Sequence, residues 1–111
     1  MRFYGIPSEE RVLEIVDAIK DGNWVYEENS YREVMDAQVV KEKLREIIKQ
    51  VREWKENNRH IPAGTALIFV HEPSDPKVFK IYDLSSLGCS PSLSPPRWKI
   101  YREELSGHIS P

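Results

Sequence analysis

Ser30–Asn58, SYREVMDAQVVKEKLREIIKQVREWKENN, is the stretch whose reading decides the fold class of this chain. It opens on Ser30-Tyr31-Arg32-Glu33, the S-x-x-E spacing in which a hydroxyl and a carboxylate each satisfy a backbone N–H left unpaired at a helix start. Beyond it Ala37, Val40, Leu44, Ile47, Val51 and Trp54 recur at alternating intervals of three and four, and Ile48 widens the apolar stripe. The pattern predicts a long amphipathic helix over 30–58. A continuous helix of that length would span about 42 Å, against a diameter of roughly 34 Å for a globule of this size, so a kink near residue 36 is expected.

The same stripe can be written as a heptad seam, with Ala37, Leu44 and Val51 at one core position and Val40, Ile47 and Trp54 at the other. The flanking positions hold Lys41, Lys43, Ile48, Gln50, Lys55 and Asn57, with no acid to pair across a symmetric coiled coil. The glutamates lie outside the seam, where Glu42–Arg45 and Arg52–Glu56 pair within one helix. The expected role is therefore a core helix laid across the chain's own sheet, its lysines extending to water.

On the N-terminal side, Ser8 is placed to cap a helix running to about residue 21. Glu9 and Glu10 suit the positive end of its dipole, Lys20 suits the other end, and Gly22 is a stop. Val12, Ile15, Val16 and Ile19 form its stripe, and Asn23–Tyr26 is a short extended piece. On the C-terminal side the pattern changes after Pro62 and Gly64. Thr65–Val70 is apolar at successive positions, Pro73-Ser74-Asp75-Pro76 is a turn cluster, and Val78–Asp83 returns as a strand. Trp98-Lys99-Ile100-Tyr101 echoes Phe79-Lys80-Ile81-Tyr82, which favours a further strand. Between them, 84–96 is a Ser/Pro-rich surface loop carrying Cys89. The expected architecture is one α+β domain: helices over about 8–21 and 30–58 on an antiparallel sheet of about three strands, 65–72, 77–83 and 97–103.

At 111 residues, 40% apolar and 31% charged, the chain can build one core without staples. A single cysteine excludes an internal disulfide and a cysteine-only zinc site. No run approaches the ~20 apolar residues of a membrane span and the N-terminus lacks a signal-like apolar segment, so a cytoplasmic protein without membrane contact is expected. Abundant Lys, Arg and Glu with only two glutamines is the composition of surface ion-pair networks favoured at high temperature. The five glycines form no phosphate-cradling loop.

The formal net charge of −2 is uneven: residues 77–102 carry five cations against Asp83, leaving a surplus of acids elsewhere. Three function classes follow. The first is a small non-enzymatic binding or regulatory protein, with no cofactor, acting through a protein partner or by self-association. This expectation rests on the lack of any recognisable catalytic constellation. The second is a single-stranded nucleic-acid binder using Lys80, Tyr82, Arg97, Trp98, Lys99, Tyr101 and Arg102, because such ligands need ring faces for bases and cations for phosphates. The third is a small metal-dependent hydrolase around His60, His71, Glu72 and Asp75, groups that would have to converge within coordination reach.

Overall fold

The structure, a computed structural model, describes residues 1–58, 61–62, 64–84 and 95–108. Its largest departure from the sequence expectation lies at Asn29. That residue adopts φ 55°, the left-handed conformation that two-residue hairpin loops require at their first position. The chain therefore turns back on itself. Asn23–Glu28 (β2) pairs antiparallel with Tyr31–Asp36 (β3), with Glu28 opposite Tyr31 and Trp24 opposite Met35. The Ser30/Glu33 spacing is not a capping box, and the Glu33 carboxylate instead accepts the Tyr31 hydroxyl at 2.7 Å. Six paired residues that bury Trp24 outweigh one local capping motif.

The long helix, α2, spans Ala37–Asn57 and is capped by Asp36, whose side chain accepts the Val39 N–H at 3.0 Å. The break expected near residue 36 is a change of element rather than a kink. Asp36 is at once the last residue of β3 and the cap of α2. The apolar stripe is the core face: Val40, Leu44 and Val51 are fully buried, with Ala37, Ile47 and Ile48 nearly so. Trp54 continues it by stacking on Trp98, ring centroids 6.2 Å apart.

The first helix, α1, spans Glu9–Asp17, and Ser8 caps it as expected, its side chain accepting the Arg11 N–H. It ends earlier than residue 21, because the Ala18 and Ile19 N–H groups turn tightly onto the Ile15 and Val16 carbonyls. Ahead of it Tyr4–Ile6 forms β1; later come Ile68–His71 (β4), Val78–Ile81 (β5) and Trp98–Arg102 (β6), followed by a 3-10 turn at Glu103–Leu105. The three strands expected at 65–72, 77–83 and 97–103 are therefore present but shorter. The expected count of three is corrected to six, since β1, β2 and β3 join them. The Ser/Pro-rich segment falls largely outside the described residues, as do Cys89 and His60.

All strand pairs are antiparallel, in the order β1-β4-β5-β6-β2-β3. Alternation then sorts the side chains. Ile68, Val70, Phe79, Ile81, Trp98, Ile100, Trp24, Tyr26 and Met35 face α1 and α2 and make the main core with them. A smaller cluster of Val25, Val78 and Tyr101 lies on the opposite face, where Phe3 and Leu105 pack on it. Gly5 permits close packing at one margin of that face, because a Cβ there would meet Phe69 at 2.9 Å.

Candidate binding face of the sheet

Register places five side chains in a row across five neighbouring strands on the face away from the helices: Phe69, Lys80, Lys99, Glu27 and Arg32. Lys80 and Lys99 stand directly opposite one another on β5 and β6, at the centre of the sheet. Both are half-buried. The Lys80 ammonium lies 4.5 Å from the centroid of the Phe3 ring, a cation–π contact. Burial, and then the neighbouring Lys99 charge, lowers the Lys80 pKa from its ordinary value. Beside this row run Val78, Tyr101, Val25 and Val34 in register. The Tyr101 hydroxyl donates to the Glu27 carboxylate, and burial together with that bond raises its pKa.

The seven residues singled out for nucleic-acid binding are thus divided between two faces. Lys80, Lys99 and Tyr101 share the face just described. Trp98, only 2% exposed, is instead part of the main core. Its ring is held between Trp54 and the Arg97 guanidinium, which lies 4.4 Å from the ring centroid, and so it presents no free face to a base. Arg97 is further held by Glu28 at 3.1 Å and Asp83 at 2.9 Å. Arg102 packs over Trp24 and is paired with Glu104. Tyr101 is 5% exposed, and Tyr82 meets Phe69 edge-on with ring centroids 5.6 Å apart.

Of the acid and histidine groups of the hydrolase reading, His71 Nε2 comes within 3.7 Å of Glu72 Oε1, while their other contacts lead to separate partners. His71 Nδ1 lies 2.7 Å from the Arg2 carbonyl oxygen, with its ring against Phe3. Asp75 pairs with Lys20 at 3.3 Å, and Glu72 with Lys77 at 3.6 Å. Among the described residues, no three His, Cys, Asp or Glu side chains are grouped to hold a metal ion. A groove of about 170 Å³ between α2 and the ends of β2 and β6 mixes Lys43 and Arg97 with Glu28 and Glu46, so its lining favours neither charge sign. No helix among the described residues is long and apolar enough to cross a membrane.

Fold and face together define an α+β protein with a six-stranded antiparallel sheet, helices on one side and an opposed lysine pair on the other. The chain is 46% identical over 112 residues to an uncharacterized protein of Aquifex aeolicus (strain VF5), across 99% of this chain and 91% of that one, and it belongs to the same family. No protein-family model matches the chain, and no solved structure does.

The division of the basic residues was open to a period-of-two reading. Trp98 and Lys99 are adjacent in sequence and so point to opposite sides of a strand. Glu27 and Arg32 carry no such signal, because their place in the row depends on a hairpin that the sequence did not disclose, and Phe69 lies on an expected strand whose register the sequence left open.

Proposed function

We propose that this chain is a non-enzymatic binding protein that receives an acidic macromolecular partner on the sheet face opposite its helices. The observation that carries the reading is the Lys80–Lys99 pair, two half-buried cations in register at the middle of that face. Like charges directly opposite one another in a sheet are unfavourable by about 0.2–1 kcal/mol. An anionic group bridging them is attracted by both ammonium groups at once, which favours the bound state. The neighbouring Val78, Tyr101 and Val25 are already buried with Phe3 and Leu105 packed on them, so the lysines rather than an apolar floor make the contact. A site on a sheet face rather than in a concave pocket suits a macromolecular surface better than a small molecule.

Single-stranded nucleic acid is the second reading, on a narrower set than the full basic tail. It is favoured by the aromatic pair Phe69–Tyr82, whose Phe69 is in register with Lys80. The test is a calorimetric titration at low salt with an oligoglutamate peptide and with an oligouridylate of equal charge, using the native chain and the Lys80→Gln/Lys99→Gln double variant. Saturable peptide binding, weakened at least about tenfold in the double variant, supports the acidic-partner reading. Binding of the oligonucleotide alone, with log affinity falling linearly in log salt, replaces it with the second. If neither probe binds, both are wrong.

A further inference from the structure

The sheet has two margins of unequal length. β1 offers three residues, whereas β3 offers six, of which only Met35 is buried. An exposed strand of this length is a template for pairing with another chain. The Asn29 N–H bonds the Arg97 carbonyl, so the odd positions of β2 turn toward β6 and its even positions toward β3. Opposite them, the backbone groups of Tyr31, Glu33 and Met35 turn toward β2. Those of Arg32, Val34 and Asp36 point away from the sheet, into the open margin.

We propose that two copies of this chain join through their β3 margins, antiparallel about a two-fold axis at Val34, uniting two six-stranded sheets into one. Charge selects this register. Centred on Val34, Arg32 of one copy stands opposite the partner's Asp36 and Asp36 opposite the partner's Arg32, on the same side of the sheet. Val34, 43% exposed in the single chain, meets the partner's Val34. The Val34 N–H and C=O exchange hydrogen bonds with the same groups of the partner, and the Asp36 N–H reaches the partner's Arg32 carbonyl. A register centred on Glu33 would oppose two carboxylates, and one centred on Arg32 would oppose two guanidiniums. Each strand thus carries its own complement, as a closed isologous contact requires. The axis is perpendicular to the sheet, so all four helices lie on one side and both Lys80–Lys99 pairs on the other. This inference is independent of what those lysines bind.

Sedimentation velocity across a dilution series tests it with charge-reversed chains. Arg32→Glu alone opposes acids, and Asp36→Lys alone opposes bases, so each is expected to dimerise at least about tenfold more weakly than the native chain. An equimolar mixture of the two restores both pairs, and dimer is expected to return. Because Asp36→Lys also removes the α2 cap, Val34→Pro provides a second arm: it removes the outward N–H without costing a hydrogen bond inside the sheet, and is expected to abolish the dimer while leaving circular dichroism unchanged. A native chain that stays monomeric throughout the series overturns the proposal. A dimer that survives Val34→Pro with unchanged affinity also overturns it, as does a mixture of two folded variants that stays monomeric.

Discussion

The Lys55 ammonium lies 2.7 Å from the Glu9 carboxylate and 2.9 Å from the Pro7 carbonyl oxygen, fastening the last turn of α2 to the first turn of α1. Both side chains are largely withdrawn from water, at 18% and 13% exposure. This contact differs from the chain's solvent-facing ion pairs, such as Arg11–Glu14, which contribute little to stability.

Replacing Lys55 with Met leaves the Glu9 carboxylate without its cation and the Pro7 carbonyl without that donor. A loss of about 1.5–3 kcal/mol is expected, the range for hydrogen bonds to charged groups. Urea denaturation should show it as a lower midpoint with an unchanged slope, whereas Arg11→Met should leave the midpoint nearly where it was.

Trp98 is a core residue, so Trp98→Ala should cost about 3–5 kcal/mol, the usual penalty for removing a large buried ring. Its fluorescence should resist quenching by iodide in the native chain. A binding signal read from Trp98 would therefore report a change in the core rather than contact with a ligand. Intrinsic fluorescence with and without iodide, together with thermal unfolding, checks both statements.

The Tyr26 hydroxyl donates to Glu28 at 3.0 Å, and burial, followed by that carboxylate, pushes its pKa up to about 12. The unfolded chain releases this proton near pH 10, about two units earlier. Between those values the native state holds a proton that the unfolded state has lost, so the Tyr26 contribution is complete below pH 10 and declines as pH rises through 12. Denaturation midpoints over this range should fall less steeply in Tyr26→Phe than in the native chain. Tyrosinate absorbance should show delayed ionisation.

Lys99→Gln removes the second cause of the depressed Lys80 pKa and leaves burial, the larger one, in place. The Lys80 titration, followed by carbon-13 NMR at its ε carbon, should move up toward the ordinary lysine value without reaching it. An unchanged titration would mean that the two ammonium groups do not interact across the strands.

Gly22 has φ 140°, and a Cβ there would meet the Arg102 guanidinium at 2.5 Å. That guanidinium also donates to the Asp21 carbonyl at 3.3 Å. Gly22→Ala should lower stability by about 1 kcal/mol or more, through backbone strain and displacement of Arg102. Thermal melts of Gly22→Ala and Arg102→Gln should show similar losses that do not add when the two are combined.

The parts of this fold legible in the sequence are those fixed by local repetition. Val40, Leu44, Ile47 and Val51 announce a helix because burial of one stripe demands their spacing, and Ser8 announces where α1 starts because its own side chain does the capping. The β2–β3 hairpin was hidden by a coincidence of motifs. Ser30 and Glu33 have the spacing of a cap, Asn29-Ser30 lacks the glycine that marks most tight hairpins, and Tyr31–Asp36 has apolar residues on both alternating faces. β1 is too short for any pattern to register, and it exists because β4 pairs with it. The candidate face was half legible: alternation within β5 and β6 orders Lys80 and Lys99, but their facing one another depends on pairing between segments far apart in the chain.

With Asp36 ending β3 and capping α2, there is no slack between the sheet margin and the longest rod in the molecule. A pull or twist applied at Val34 passes within two residues into the first turn of a helix whose inner stripe grips the core. The helix that begins there ends beside the Trp54–Trp98 stack, so one unbroken rod joins the exposed margin of the sheet to the core side of β6.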